Sequence, residues 1–389
     1  MLKVGMFVDT YFPMIDGVIN VVHNYSKRIQ GDEFEVIVFC PKLNKKYIDD
    51  FPYRVVRCKS VKIFFLDYSL PLPKLDRKFK RILKGSQLDI VHIHSPFGIG
   101  KMGLWYAKKH HIPVIASLHS QFEQDFYRAT HSKSVTKSML KVVTKVYNQC
   151  DACFAVNERV AEIFHGYGVK KMPGVVFNCT DLTPVEDGAA ANRLVNETYS
   201  LKEDQPVFLF VGRITALKNI YLIVDALAQL KDMDFKMLFV GSGQDEAELL
   251  RRVEKNGLTE KVVMTGRISD REMLKALYHR ANLFLFPSVY DTNSLVQIEA
   301  ASQKTPTLFG EGTATSFLVK NNVNGFIAPL DATGYAERLR EILSDKETYD
   351  KVCDGAHRDL YFVWEHSVEQ IKQIYRDLIA EYQNKKEEN

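Results

Sequence analysis

Cysteine is sparse: the chain of 389 residues holds six, scattered along its length. That excludes a disulfide-stapled miniprotein and fits free thiols in a reducing compartment. Cys150-Asp151-Ala152-Cys153 is a single CxxC, and the two further ligands that zinc requires are not spaced around it. It precedes the strand-like Phe154-Ala155-Val156 instead of opening a helix, so chance spacing is expected rather than a redox pair. No run approaches the roughly 18 apolar residues of a membrane-spanning helix. Met1 leads straight into the strand-like Leu2–Val8, and no leader peptide is expected. Excess charge of one sign is also lacking: 52 Lys and Arg face 48 Asp and Glu, a net +4. What is present is an ordinary globular mixture, 46% apolar and 26% charged, which rules out collagen-like and disordered chains. At about 150 residues per domain the length predicts two or three domains.

The near-neutral total hides an asymmetry. Residues 1–180 carry 27 basic and 15 acidic side chains, a balance of +12, and residues 181–389 carry 25 and 33, a balance of −8. Different partners for the two halves are expected. Short apolar segments alternate with amphipathic helical ones twice over. In the first half the strands are predicted at 4–9, 34–40, 90–94, 114–118, 153–156 and 175–178, with helices at 18–30, 100–110, 134–148 and 159–167. In the second half strands fall at 207–211, 235–240, 262–265, 283–286 and 307–309, with helices at 220–231, 245–256, 270–279, 294–302 and 333–344. Strands rich in Val, Ile and Phe without alternation are those buried on both faces of a parallel sheet. The fold class is therefore α/β, two doubly wound domains. The polar, turn-forming stretch 182–205 reads as the linker, which places the domains at 1–181 and 206–365. A last amphipathic segment, 368–382, exceeds what the second domain needs and is expected to return to the first.

Ligands of doubly wound sheets lie beyond the C-terminal ends of the strands, so the residues just after each strand are the candidates. After the first strand come Asp9-Thr10-Tyr11-Phe12-Pro13 and then Gly17, a helix-opening glycine that lets backbone N–H groups approach an anion; no GxGxxG follows this strand. His119 ends the strand 114–118 among Ser117, Ser120 and Gln121, where a site histidine and a structural one are equally plausible. After 207–211 come Arg213 and Lys218, two cations near a helix start, suited to a diphosphate or to a solvated basic turn. Gly241-Ser242-Gly243 and Thr265-Gly266 leave room for a base or a ribose. The sharpest pattern is Asp291 and Glu299, eight positions apart. Asp291 follows a strand, and Glu299 sits in a helix beside Ile298, Ala300 and Ala301. A carboxylate among apolar neighbours is costly unless it accepts hydrogen bonds, which a ribose diol supplies. The helix start at Asn293, Ser294 and Leu295 offers N–H donors to a phosphate.

Taken together and in order, these elements resemble the retaining glycosyltransferases of family four, which have the GT-B fold. The likeness runs over essentially the whole chain. Asp291 and Glu299 take the places of that family's paired acids, closed by Gln303-Lys304-Thr305-Pro306. Arg213 and Lys218 match its Gly-Arg-Ile element and the lysine that follows it, here Gly212-Arg213-Ile214 and Lys218 with three residues between, and His119 matches its first-domain histidine. Asn324-Gly325-Phe326 and Val363-Trp364-Glu365 match its later turn and its lead into the returning helix. The resemblance implies two Rossmann-like domains facing across a cleft and a nucleotide-sugar donor held mainly by the second. Arg213 and Lys218 would hold the diphosphate, Glu299 the ribose and Asp291 the donor sugar. Asn293, Ser294 and Leu295 would donate to the phosphate, Ile268 border the base, Gly243 line the donor site and His119 approach the sugar. Family members need no metal. Two departures stand out: Asp291 where the family usually has Glu, and Asn178-Cys179-Thr180-Asp181 where it usually has Asn-Gly-Val-Asp.

The acceptor is approached through the basic half. Lys74, Arg77, Lys78, Lys80, Arg81 and Lys84 fall within eleven residues, and Lys133, Lys137, Lys141 and Lys145 recur every four, a spacing that gathers them on one helix face. Such a helix binds an anionic membrane surface or is a solvated face over a core-facing stripe. With the +12 balance, and with openings of glycolipid-making members similar to Asp9–Pro13, a membrane lipid or lipid-linked acceptor is expected. The expected donor is UDP-glucose, and the expected location is peripheral, on the cytoplasmic face of the cell membrane. A soluble or polysaccharide-repeat acceptor, or a non-catalytic nucleotide-sugar-binding subunit, remains the alternative. No nucleic-acid recognition motif accompanies the basic patches.

Overall fold

The computed structural model describes residues 1–14, 16–43, 47–62 and 69–387. The chain forms two compact units, Met1–Asn178 with Trp364–Asn389, and Cys179–Val363.

In the first unit the strands are β1 (Leu2–Phe7), β2 (Phe34–Pro41), β3 (Arg54–Cys58), β4 (Ser60–Lys62), β5 (Ser69–Pro71), β6 (Ile90–Ile93), β7 (Val114–Leu118), β8 (Ala152–Ala155) and β9 (Gly174–Val175). Its helices are α1 (Gly17–Ile29), α2 (Arg77–Lys84), α3 (Gly98–His110), α4 (Phe122–Thr130), α5 (Lys133–Tyr147) and α6 (Glu158–Tyr167). Among the described residues the main sheet has the order β3-β2-β1-β6-β7-β8-β9, with every pairing parallel. The short β4 and β5 pair antiparallel, apart from that sheet. The apolar strands predicted from the sequence are all present, within a few residues of their expected ends. The edge strand β3, whose Arg54 and Arg57 interrupt the apolar run, went unpredicted, as did α2 and α4.

The second unit contains α7 (Gly188–Tyr199), β10 (Val207–Val211), α8 (Ile220–Leu227), β11 (Lys236–Val240), α9 (Glu246–Lys255), β12 (Val262–Gly266), α10 (Arg271–Arg280), β13 (Leu283–Phe286), α11 (Leu295–Ser302), β14 (Thr307–Gly310), β15 (Phe326–Ala328), α12 (Ala332–Ser344) and α13 (Lys346–Leu360). Its parallel sheet runs β12-β11-β10-β13-β14-β15. The stretch 182–205, expected as a linker, belongs to this unit. It carries α7, capped by Asp187 and burying Ala191 and Val195 in the unit's core. Arg280 of α10 ties it down, donating to Asn196 Oδ1 at 2.7 Å and to the Lys202, Glu203 and Gln205 carbonyls. The stretch reads as a linker in sequence because its caps and turns flank a single 12-residue helix with weak apolar signal, about three turns.

The final helix, α14 (Trp364–Glu387), returns to the first unit as expected. Its indole at Trp364 is buried edge-on against Tyr25, its Tyr375 hydroxyl bonds His92 Nδ1 at 2.7 Å, and Arg376 pairs with Glu33 at 2.7 Å. The two segments that pass between units pair with each other: Thr180 N donates to Phe362 O at 3.1 Å. Cys179, standing where a glycine was expected, is buried and is not among the residues with positive φ, so its β-carbon is accommodated without strain.

Candidate functional site

In each unit the first strand has neighbours on both sides that leave it by connections of opposite sense. At such a switch point the loops diverge and open a crevice at the C-terminal strand ends. In the second unit that point lies between β10 and β13. Lys218 lies in the turn after β10 and Asp291 in the loop after β13, and the structure brings them into contact. Lys218 Nζ donates to both Asp291 oxygens at 2.5 Å, and Ser288 Oγ donates to Asp291 Oδ2 at 2.6 Å. The two side chains are only 15% and 16% exposed. The ammonium also faces the Phe286 ring, 5.5 Å from its centroid. Arg213 is exposed on the same loop as Lys218 and makes no ion pair among the described residues.

Glu299 lies inside α11, 8% exposed. It accepts from the Tyr278 hydroxyl at 3.0 Å and from Arg271 Nη1 at 3.3 Å; the same guanidinium also binds Asp181. Burial raises the Glu299 carboxyl pKa, and Arg271 and Tyr278 oppose that rise. Arg271 and Tyr278 went unremarked in the sequence. Their spacing of seven on α10, which puts them on one helix face, was the available signal. The carboxylate accepts up to four hydrogen bonds, so these two leave it acceptor capacity.

At the start of α11, Asn293 is buried and accepts from Gln297 Nε2 at 2.9 Å, while Ser294 is the N-cap and makes no side-chain hydrogen bond to the first turn. Leu295 is the first helical residue, half-buried. Ile268, half-buried, packs against the unit's core two residues past Gly266. Gly243 has a structural reason of its own: a β-carbon there would lie 2.1 Å from the Ile214 carbonyl oxygen, so the room left by the glycine is filled by the loop after β10.

In the first unit the switch point lies between β1 and β6. Here the sequence reading overlooked a motif: Gly98-Ile99-Gly100-Lys101-Met102-Gly103 is a GxGxxG opening α3 after β6. The place a phosphate would take is filled by Asp9. Its carboxylate accepts from Ile99 N at 2.8 Å, Gly100 N at 3.4 Å and Ser95 Oγ at 2.7 Å. Burial raises the Asp9 pKa and those donors oppose the rise. Gly100 and Gly103 serve packing, since β-carbons there would meet the Ser95 carbonyl oxygen at 1.8 Å and the Phe7 ring at 2.7 Å. Gly17, first residue of α1, is exposed with open space around it, and Asp16 caps that helix through Ile19 N at 2.8 Å. His119 follows β7. Its Nε2 is hydrogen-bonded to His94 Nδ1 at 3.1 Å, and His94 lies against His92 with ring centroids 4.0 Å apart. Burial lowers the pKa of all three, to about 4 for His119 and about 3 for His92, so the stack is neutral at pH 7. His92 and His94 were read only as strand; two polar residues in the apolar run Ile90–Ile93 and just beyond it were the signal.

The four lysines of α5, Lys133, Lys137, Lys141 and Lys145, are all exposed, while Leu140, Val143 and Tyr147 on the adjoining face are buried. Val135 and Val142, beside the lysine stripe, are 46% and 55% exposed. On α2, Lys78 and Arg81 are exposed while Phe79 and Leu83 are buried. The Cys150 and Cys153 thiols donate to the Val146 and Tyr147 carbonyls. No described helix is long and apolar enough to cross a membrane.

Two family models divide the chain between them: Glycosyltransferase Family 4 matches residues 15–183 and Glycosyl transferases group 1 matches residues 195–358. The alpha-monoglucosyldiacylglycerol synthase of Streptococcus pneumoniae is 26% identical over 317 residues, 79% of this chain and 70% of its own length. The enzyme of the same name from Acholeplasma laidlawii is also 26% identical, over 92% of this chain and 97% of its own. Among solved structures, a sucrose-phosphate synthase from Thermosynechococcus elongatus superposes with a TM-score of 0.80 at 22% identity, covering 98% of this chain and 100% of that one. HepE of Anabaena, solved with UDP and glucose, superposes at 0.79 and 16% identity over 97% and 100%. With both halves matched in order and the doubly wound pair of sheets to carry them, the chain belongs to the glycosyltransferases of the GT-B fold, joining a family 4 N-terminal domain to a group 1 C-terminal domain.

Proposed function

We propose that the protein is a retaining hexosyltransferase that moves glucose from UDP-glucose to a membrane lipid or lipid-linked acceptor. The observation that carries this reading is the set of groups at the switch point of the second unit: Lys218 and Asp291 in contact, Arg213 on the same loop and the α11 N-terminus beyond Asp291. Two cations and a helix start suit a diphosphate, and carboxylates suit hydroxyls. As the glycosidic bond to phosphate breaks, negative charge grows on the diphosphate, and Arg213 and Lys218 are the groups to stabilise it. The acceptor oxygen attacks the same face of the sugar, and the departing phosphate takes its proton. Glu299 accepts from the ribose and Asp291 from the sugar. The cationic charge of the chain itself serves the leaving group, so a metal-independent reaction is proposed.

The acceptor and location rest on separate support. Two alpha-monoglucosyldiacylglycerol synthases lie among the relatives. The exposed side of α5 carries four lysines with Val135 and Val142 beside that stripe, the cationic and apolar groups that an interfacial helix presents to anionic lipid. A peripheral position on the cytoplasmic face of the cell membrane, and a role in making envelope glycolipids, follow from that reading. The test is incubation of the purified chain with labelled nucleotide sugars and vesicles carrying diacylglycerol or monoglucosyldiacylglycerol. Transfer from UDP-glucose to lipid, with the anomeric configuration kept, is the expected result. Transfer only to soluble sugars overturns the acceptor, and neither transfer nor donor hydrolysis with any nucleotide sugar overturns catalysis.

A further inference from the structure

The Lys218–Asp291 pair poses a problem for a diphosphate clamp. Both oxygens of Asp291 are engaged by the ammonium at 2.5 Å, the fully buried Ser288 hydroxyl holds Oδ2 in place, and both charged side chains are about five-sixths buried. In such surroundings the pair is electrically neutral to anything arriving, and separating it leaves each charge poorly solvated. A diphosphate that claims Lys218 must part it from Asp291 and then sit beside a carboxylate that has lost its cation. A free nucleoside diphosphate brings nothing to satisfy that carboxylate. An intact nucleotide sugar does, because its hydroxyls are donors that replace the ammonium on Asp291.

Resting on the nucleotide-sugar reading above, we infer that Asp291 discriminates between intact donor and free nucleoside diphosphate: it holds Lys218 by a two-oxygen ion pair, and a ligand carrying both the diphosphate and the sugar hydroxyls replaces what each partner gives up, whereas a free diphosphate replaces only the lysine's share. The pair therefore favours donor over product and re-forms as the product leaves. The connection is tertiary, since the two residues lie 73 positions apart and meet because β13 lies beside β10.

The experiment is calorimetric titration of the full chain with UDP, GDP and UDP-glucose, using wild type, Asp291→Asn, Lys218→Met and the double variant. Asp291→Asn removes the competing charge and keeps the side-chain shape. It should bind the free diphosphate at least about tenfold tighter than wild type, the scale of close, desolvated charge pairs. UDP-glucose affinity should gain less, so the donor-to-diphosphate preference falls. In the Lys218→Met background the Asn substitution should give a clearly smaller gain in diphosphate affinity, because the direct repulsion by the carboxylate remains to be relieved but the competition for the lysine is gone. A merely structural role for Asp291 would weaken all ligands alike. Should Asp291→Asn fail to fold, Asp291→Ser makes the same comparison. Unchanged or weaker diphosphate binding in a folded Asp291 variant, or an equal gain with and without Lys218, overturns the inference while leaving the donor reading in place. Failure of both diphosphates and UDP-glucose to bind wild type overturns the donor reading, and this inference with it.

Discussion

His92 is fully buried on β6, with Nδ1 bonded to the Tyr375 hydroxyl at 2.7 Å and Nε2 to Ser117 Oγ at 2.8 Å. Burial, with His119 adding to it, lowers its pKa from 6.5 to about 3. Above pH 6.5 the imidazole is neutral whether the chain is folded or not, and titration costs nothing. Below it the unfolded chain takes a proton that the folded chain refuses, so stability falls with pH down towards the folded pKa. From pH 6.5 to pH 5 that is 1.5 units at 1.36 kcal/mol, about 2 kcal/mol from this residue. His94 acts in the same sense, and His119, part-exposed, adds less. Replacement of His92 by Asn keeps a polar group for Tyr375 but does not titrate. It should cost about 1–3 kcal/mol at pH 7.5, where Ser117 loses a partner. The further loss between pH 7.5 and pH 5 should then shrink by about 2 kcal/mol against wild type. Urea unfolding read by tryptophan fluorescence measures this in the right place, because both tryptophans, Trp105 and Trp364, belong to the first unit. Equal pH dependence in mutant and wild type would refute the argument that this imidazole stays neutral inside the fold.

The remaining predictions concern donor and membrane. Arg213→Ala should lower transfer about a hundred- to a thousandfold with an unchanged melting temperature, since the side chain is exposed and acts on developing charge; normal turnover removes it from the mechanism. Glu299→Gln should weaken UDP binding by about 1.5–3 kcal/mol, tenfold or more, in calorimetry while the fold persists, because Tyr278 can still donate to the amide oxygen and Arg271 keeps Asp181. Unaltered UDP affinity would end the ribose assignment. Changing Lys133, Lys137, Lys141 and Lys145 together to Gln should preserve folding and donor binding yet remove up to about 4 kcal/mol of attraction to anionic vesicles, a roughly thousandfold loss in partitioning. Equal flotation of mutant and wild type with vesicles, or wild-type binding indifferent to salt, returns α5 to a solvated face.

The sequence by itself determined the two doubly wound halves, because that signal is local. Val207–Val211 and Leu283–Phe286 are apolar on both faces and stand out at their observed bounds. It also placed the candidate residues, since whatever follows such a strand lies at the ligand end of the sheet. Elements without that contrast escaped: β3, broken by arginines, and α7, hidden in a polar stretch. Only the tertiary structure decided which candidates touch. Strand order sets β13 beside β10 and so closes Lys218 on Asp291, just as β6 beside β1 lets Asp9 occupy the start of α3. The same holds for Glu299, whose partners Arg271 and Tyr278 come from another helix, and for His92, bonded to Tyr375 from 283 residues away. Hydrophobic period is written along the chain, whereas a charge's partner is chosen by which strand ends are neighbours in the folded sheet.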